Sequence, residues 1–196
     1  MKLVGLSGSL TPLSKTYITL AEALKFAGNY DETIQTELIN LRDYEIQFCD
    51  GRDPAAYEGD TKKVIDQIVD ADALLFGSPI YRGSISGVLK NVFDVIPNDS
   101  LRGKVVGFVA TGGTYHHYLA IEHQLKPLAG YFKAHVVPGN VYAHNEHFEN
   151  KQLVDEGIRS RLQELVISVV QLTASTQGIA TGAREPIIPR QSLAQS

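Results

Sequence analysis

The sequence predicts an α/β fold, a three-layer sandwich in which a five-stranded parallel sheet of order 2-1-3-4-5 carries helices on both faces. Three observations predict it. Apolar runs of strand length alternate along the chain with segments of helical period. The first, third and fourth runs are apolar almost throughout, as in strands covered on both faces. The first run is followed by a short polar loop that opens a helix. With 196 residues and 43% apolar content, one compact core is expected, a single domain over residues 1–175 with a tail at 176–196.

The strands are expected at residues 2–6, 34–41, 73–76, 104–110 and 135–142, each bounded by glycine or polar turns. Helical spacing marks four intervening segments: Tyr17, Leu20, Ala21 and Leu24; Val64, Ile65, Ile68 and Val69; Ile85, Val88, Leu89, Val92, Phe93 and Ile96; and Ile121, Leu125, Leu128 and Phe132. A fifth helix carries Val154, Ile158, Leu162, Leu165, Val166, Val169 and Leu172 on one face. Such alternation requires right-handed crossovers, and the loop on the first strand selects the flavodoxin-like order. From Thr173 onward, with Pro186, Pro189 and a polar end, an extended tail is expected, frayed or laid across a partner subunit.

Composition excludes several function classes. A net charge of -4, without a stripe of Lys or Arg, gives no basis for nucleic-acid binding. Cys49 is the sole cysteine, so neither an internal disulfide nor a zinc knuckle is available, and a reducing cytoplasm fits. The apolar part of MKLVGLSGSL is too short for a secretory or membrane segment, so a soluble, unprocessed protein is expected.

Ligands of such a sheet sit at the carboxyl ends of the strands, which makes the loops after Leu6, Phe76 and Ala110 the candidates. The first, GSLTPLSKT at residues 8–16, lacks the second glycine of a nucleotide-triphosphate loop, since Ser14 precedes Lys15. Nor does it have the G-x-G-x-x-G of dinucleotide folds. Four hydroxyls (Ser9, Thr11, Ser14 and Thr16) with Lys15 at a helix start suit one terminal phosphate monoester. Ser14 as a plain helix N-cap is the competing reading, and the two are compatible.

In the second loop Pro79 is expected to turn the chain rigidly off the strand, and Ile80 and Tyr81 to offer flat or apolar surface to a ring system. Arg82 and Ser84 would donate to ring carbonyls and Gly83 would permit close approach; an ordinary turn with a core tyrosine is the alternative. The third loop, ATGGTYHHYL, sets Gly112 and Gly113 between Thr111 and Thr114, so that backbone amides can face an anion or a carbonyl-rich edge. A plain glycine turn is again the alternative.

The stretches GSLTPLSKT, SPIYRGSISGVLKNVFD and ATGGTYHHYLAIEHQLKPLAGYFKAHVVPGNVYA together resemble the NAD(P)H-dependent FMN reductases of flavodoxin-like fold, over roughly residues 1–145. The likeness is strongest to the branch that supplies reduced flavin to alkanesulfonate-type monooxygenases. By that resemblance Ser9, Thr11, Ser14, Lys15 and Thr16 hold the FMN phosphate, and Pro79, Ile80, Tyr81, Arg82, Gly83 and Ser84 line the isoalloxazine. Thr111, Gly112, Gly113 and Thr114 then meet its pyrimidine edge. Many members carry an arginine near Thr11; here it is absent and Lys15 stands in as a point charge.

The resemblance implies hydride transfer from NADPH or NADH directly to the flavin, with no catalytic side chain, because the chemistry belongs to the cofactor. The spacings of His116, His117, His123, His144 and His147 do not match a zinc-protease motif, and no metal site is expected. Three functional classes are weighed. The leading one is a reductase that releases reduced FMN to a monooxygenase. The alternatives are a flavoenzyme that retains FMN and reduces quinones, azo compounds or metal oxyanions, and a flavodoxin-type carrier, which the absence of Trp and the low charge disfavour. Tyr115, Tyr118, Tyr131 and Phe148 add apolar surface near the third loop, so a homodimer or homotetramer is expected.

Overall fold

A computed structural model of the chain describes residues 1–179 and 182. Four long strands form the sheet: β1 (Lys2–Ser7), β2 (Gln35–Asn40), β3 (Ala73–Tyr81) and, after the short β4 (Ser84–Ile85), β5 (Val105–Gly112). Two short strands, β6 (His135–Val136) and β7 (Val141–His144), lie along the far side of β5. All pair in parallel in the order β2-β1-β3-β5-β6, with β7 continuing beside β5 and only β4 antiparallel, to β3. This is the predicted 2-1-3-4-5 order, its fifth place shared by β6 and β7. A separate hairpin pairs β8 (Phe148–Glu149) with β9 (Gln152–Leu153).

Side chains alternate across the strands, so successive residues feed two cores. Val4, Leu6, Leu74, Phe76, Val106 and Phe108 pack with α2 (Gly59–Val69), α3 (Gly87–Val95) and α4 (Lys126–Tyr131). Leu3, Ala73, Leu75, Val105 and Val109 pack with α1 (Lys15–Tyr30) and α5 (Glu156–Ser175). Each fully buried Leu, Val or Phe is worth about 1.5–3 kcal/mol, which is why near-continuous apolar runs mark the central strands. At Gly107 a Cβ would lie 2.8 Å from Leu75 and 3.0 Å from Val169, so the missing side chain lets α5 settle onto the sheet.

Several boundaries differ from the sequence reading. β3 does not end at Phe76 but continues through Pro79 to Tyr81. β1 pairs with it only as far as Gly77, so Pro79 sits where that side of the strand is an edge and a missing N–H is tolerated. Ile85 belongs to β4, and α3 starts two residues later, capped by Ser86, whose hydroxyl accepts from the Leu89 N–H. The fourth helix opens as a wide π turn over Ile121–Leu125, because Pro127 has no N–H to continue an ordinary ladder. The fifth strand is broken between β6 and β7 at Pro138 and Gly139, the latter at φ 85°. Helix α5 carries Thr173 to Ser175, three residues that the tail was expected to include. Pro186 and Pro189 lie outside the described residues.

Candidate functional site

The three loops named from the sequence converge on one cleft of about 470 Å³ at the carboxyl ends of β1, β3 and β5. The first wall is Ser9, Thr11, Leu13, Ser14, Lys15 and Thr16; the second is Pro79, Ile80 and Tyr81; the third is Thr111, Gly112 and Gly113, joined by Asn145. Two larger depressions, of about 700 and 630 Å³, lie toward the α2 side of the molecule. In the former Arg52 is paired with Asp50 and Lys62 with Asp66, so those charges are already engaged. The smaller cleft lies at the strand ends, where this fold binds ligands.

Short bonds pin the first loop. The Gly8 N–H donates to the Gly77 carbonyl at 2.8 Å, and the Ser86 hydroxyl donates to the Gly8 carbonyl at 2.6 Å, tying the loop to β3 and to the start of α3. Ser9 accepts from the Thr11 N–H at 3.3 Å. Ser14 caps α1 by accepting from the Tyr17 N–H at 3.1 Å, and it also lines the cleft. An α-helix leaves the N–H groups of its first turn without internal partners, and here that turn begins with Lys15 and Thr16, both on the wall. The buried Thr16 and Thr111 hydroxyls bond each other at 2.7 Å, locking the start of α1 to the end of β5.

Tyr81 is half-exposed at the cleft, not a core residue, and its hydroxyl lies 3.4 Å from that of Thr11. Arg82, Gly83 and Ser84 are not on the cleft wall. Ser84 opens β4 opposite Tyr81, and Arg82 and Gly83 form the two-residue turn of a hairpin between β3 and β4, at φ 54° and φ 81°, the left-handed pair that such a turn demands. Gln124, from the π turn, clasps it: Nε2 donates to the Gly83 carbonyl at 3.0 Å, and Oε1 accepts from the Ser84 hydroxyl at 2.8 Å and the Ile85 N–H at 3.0 Å. Ser84 is thus spent on the hairpin.

On the third wall, a Cβ at Gly112 would lie 2.1 Å from the Tyr142 hydroxyl, so only glycine fits. That hydroxyl donates to the Thr114 carbonyl at 2.5 Å, and Thr114 itself stays off the cleft wall. His144 Nε2 donates to the Gly113 carbonyl at 2.9 Å while its Nδ1 accepts from the Glu146 N–H at 3.3 Å. His147 Nδ1 accepts from the His144 N–H at 2.9 Å. The Tyr115 ring stacks on His144 with centroids 4.5 Å apart, and its hydroxyl donates to the Glu146 carboxylate. That bond is the main reason the Tyr115 hydroxyl is pushed up to about 12 and the Glu146 carboxyl falls below its ordinary value.

Asn145 is the cleft residue that the loop motifs missed. It comes from the short turn after β7, some thirty positions beyond the third loop, and its Oδ1 accepts from Lys15 Nζ at 2.7 Å. His116 and His117 are not on the wall; His117 stands over the hairpin, 3.7 Å from where a Gly83 Cβ would be. Among the described residues no group of three or more His, Cys, Asp or Glu is placed to hold a metal ion, and no helix is long and apolar enough to cross a membrane.

Known proteins share this architecture. Residues 1–149 match the family described as NADPH-dependent FMN reductase. The chain is 49% identical over 173 residues to an NAD(P)H-dependent FAD/FMN reductase of Geobacillus thermodenitrificans, covering 88% of this chain and 93% of that protein. It is 35% identical over 178 residues to the NADH-dependent FMN reductase SfnF of Pseudomonas putida, covering 86% and 91%. The apo NADH:FMN oxidoreductase EMOB shares the fold with a TM-score of 0.75 at 24% identity, over 90% of each chain. With a match across most of its length and a relative at nearly half identity, the chain belongs to the NADPH-dependent FMN reductase family.

Proposed function

We propose that the protein is an NAD(P)H-dependent FMN reductase that binds FMN in the cleft between the three loops, takes hydride from NADPH or NADH, and supplies reduced FMN to a monooxygenase. The observation that carries this reading is the convergence on one cleft of a hydroxyl-rich helix start, an apolar and aromatic wall, and a glycine pair backed by fixed side chains.

The residues present suit that cofactor. The hydroxyls of Ser9, Thr11 and Ser14 and the first-turn N–H groups of α1 match a phosphate monoester. Pro79, Ile80 and Tyr81 offer surface for a ring, and Thr111, Gly112 and Gly113 offer backbone to its polar edge. A cleft of about 470 Å³ is within the range for a ligand of this size. At Gly113 a Cβ would press to 3.1 Å from Asn145 Nδ2, so a side chain there would crowd the third wall. FMN, when bound, supplies the hydride-accepting ring. The protein's part is to hold the phosphate at α1, to keep the ring against the second wall, and to present fixed dipoles to the third edge without rearrangement.

Exposed Leu10, Leu13, Tyr81, Tyr115 and Tyr118 on the segments that build the cleft support a homo-oligomer with the site near a subunit boundary. An exposed lone Cys49 fits a cytoplasmic setting. The test is anaerobic NADPH addition to purified protein with FMN titrated from none upward. Turnover that saturates with added FMN, from nearly colourless protein, supports a released flavin. Protein that is yellow as purified and bleaches stoichiometrically supports a retained flavin with another acceptor. Absence of FMN binding would sink the reading.

A further inference from the structure

The place of Lys15 in the first loop points to the phosphate, but the contacts of its ammonium lie elsewhere. Its Nζ bonds Asn145 Oδ1 at 2.7 Å and stands 5.7 Å from the centre of the Phe148 ring, both residues following β7. Among the described residues no carboxylate pairs with it, so a neutral amide and an aromatic face hold the cation with its charge uncompensated. The turn that presents Asn145 is anchored on both sides: His144 by the Gly113 carbonyl and Glu146 by the Tyr115 hydroxyl. Asn145 Nδ2 in turn lies close beside Gly113. A single chain of contacts therefore runs from the glycine pair through Asn145 to the ammonium.

We propose that Lys15 and Asn145 act as one unit at the third wall, Asn145 as the positioning residue, so that the cation bears on the carbonyl-bearing edge of the flavin ring and not on its phosphate. The inference rests on FMN occupying the cleft. Its physical consequence is a division of labour: hydroxyls and helix N–H groups hold the phosphate, while the one charge favours the electron-richer, reduced ring over the oxidised one.

Two flavins separate the possibilities, since riboflavin has the ring and lacks the phosphate. The full chain, freed of flavin, is titrated with FMN and with riboflavin by fluorescence quenching, and the midpoint potential of bound FMN is measured. Lys15→Met is expected to weaken both flavins by a similar factor. It is also expected to lower the preference for reduced over oxidised FMN about tenfold, a shift of about 30 mV to more negative potential for a two-electron couple. Asn145→Ala moves the potential the same way by less, and Lys15→Arg restores most of it. Loss confined to FMN at unchanged potential would overturn the proposal in favour of phosphate binding. Unchanged affinities and potential would overturn it by reducing the pair to a structural tether. Wild-type protein that binds neither flavin would sink the FMN reading itself, a result distinct from both.

Discussion

The first and third walls of the cleft differ in how they are built. In the first, the bonds of Ser9 with Thr11 and Ser14 with Tyr17 span two or three residues, longer bonds from Gly8 to Gly77 and Ser86 and from Thr16 to Thr111 tie the loop to the sheet, and apart from Lys15 the groups are hydroxyls and backbone. In the third, Thr114 meets Tyr142, Gly113 meets His144 and Tyr115 meets Glu146, partners about thirty positions apart, and several of them ionise. The local bonds of the first wall form once the helix starts. A wall made across thirty residues exists only when β7 has docked on β5. The Tyr115–Glu146 pair makes the third wall the one whose bonds depend on pH.

The sharpest way to break this contrast is Gly112→Ala, which drives a methyl into the Tyr142 hydroxyl and dislodges it from Thr114. Overpacking of this kind costs about 1–3 kcal/mol, and FMN affinity is expected to fall by at least about tenfold; urea unfolding and fluorescence titration read the two. Next is the bond that joins the walls. Thr16→Val leaves the buried Thr111 hydroxyl unpaired and is expected to cost about 1–3 kcal/mol, whereas the double variant with Thr111→Val recovers much of the loss. A double variant no more stable than the single would show that this bond is not what couples the walls. Smaller again is Ser14→Ala, with a loss of about 1 kcal/mol from the α1 cap in thermal or urea denaturation.

The smallest effect is the pH dependence of the third wall. The Tyr115 hydroxyl is raised in the folded chain from 10.0 to about 12, so its contribution is complete below pH 10.0 and is lost as pH rises through about 12. The Glu146 carboxyl is lowered from 4.5, so its contribution is complete above pH 4.5 and disappears on acidification below that. Burial also raises Tyr57 and Tyr142, so tyrosinate absorbance should show a late-titrating component that Tyr115→Phe reduces without abolishing, while Ser14→Ala leaves it in place.

Legibility divides along the same line. The strand order, both layers of helices and the three loops can be read because each depends on local period and spacing, and Ser9, Thr11, Ser14, Lys15 and Thr16 all line the cleft at the strand ends. Sequence spacing does not disclose contact across distance. Nothing near Arg82 or Ser84 indicates that Gln124 will claim their hairpin and keep them from the cleft wall. Nothing near Asn145 indicates that it will reach Lys15, 130 residues away. Pro79 points to a strand end because proline usually marks one; the early end of β1 creates an edge on which β3 can continue.

The interruption at Pro138 and Gly139 also governs how the protein meets other chains. An uninterrupted outer strand would offer a row of free backbone donors and acceptors to any extended polypeptide nearby. Here that border consists of two-residue β6 and four-residue β7, separated by a proline and a left-handed glycine, so an incoming strand finds no continuous ladder to join. Growth of the sheet from molecule to molecule is blocked on this side, so the continuous edge of the sheet is the opposite one, at β2.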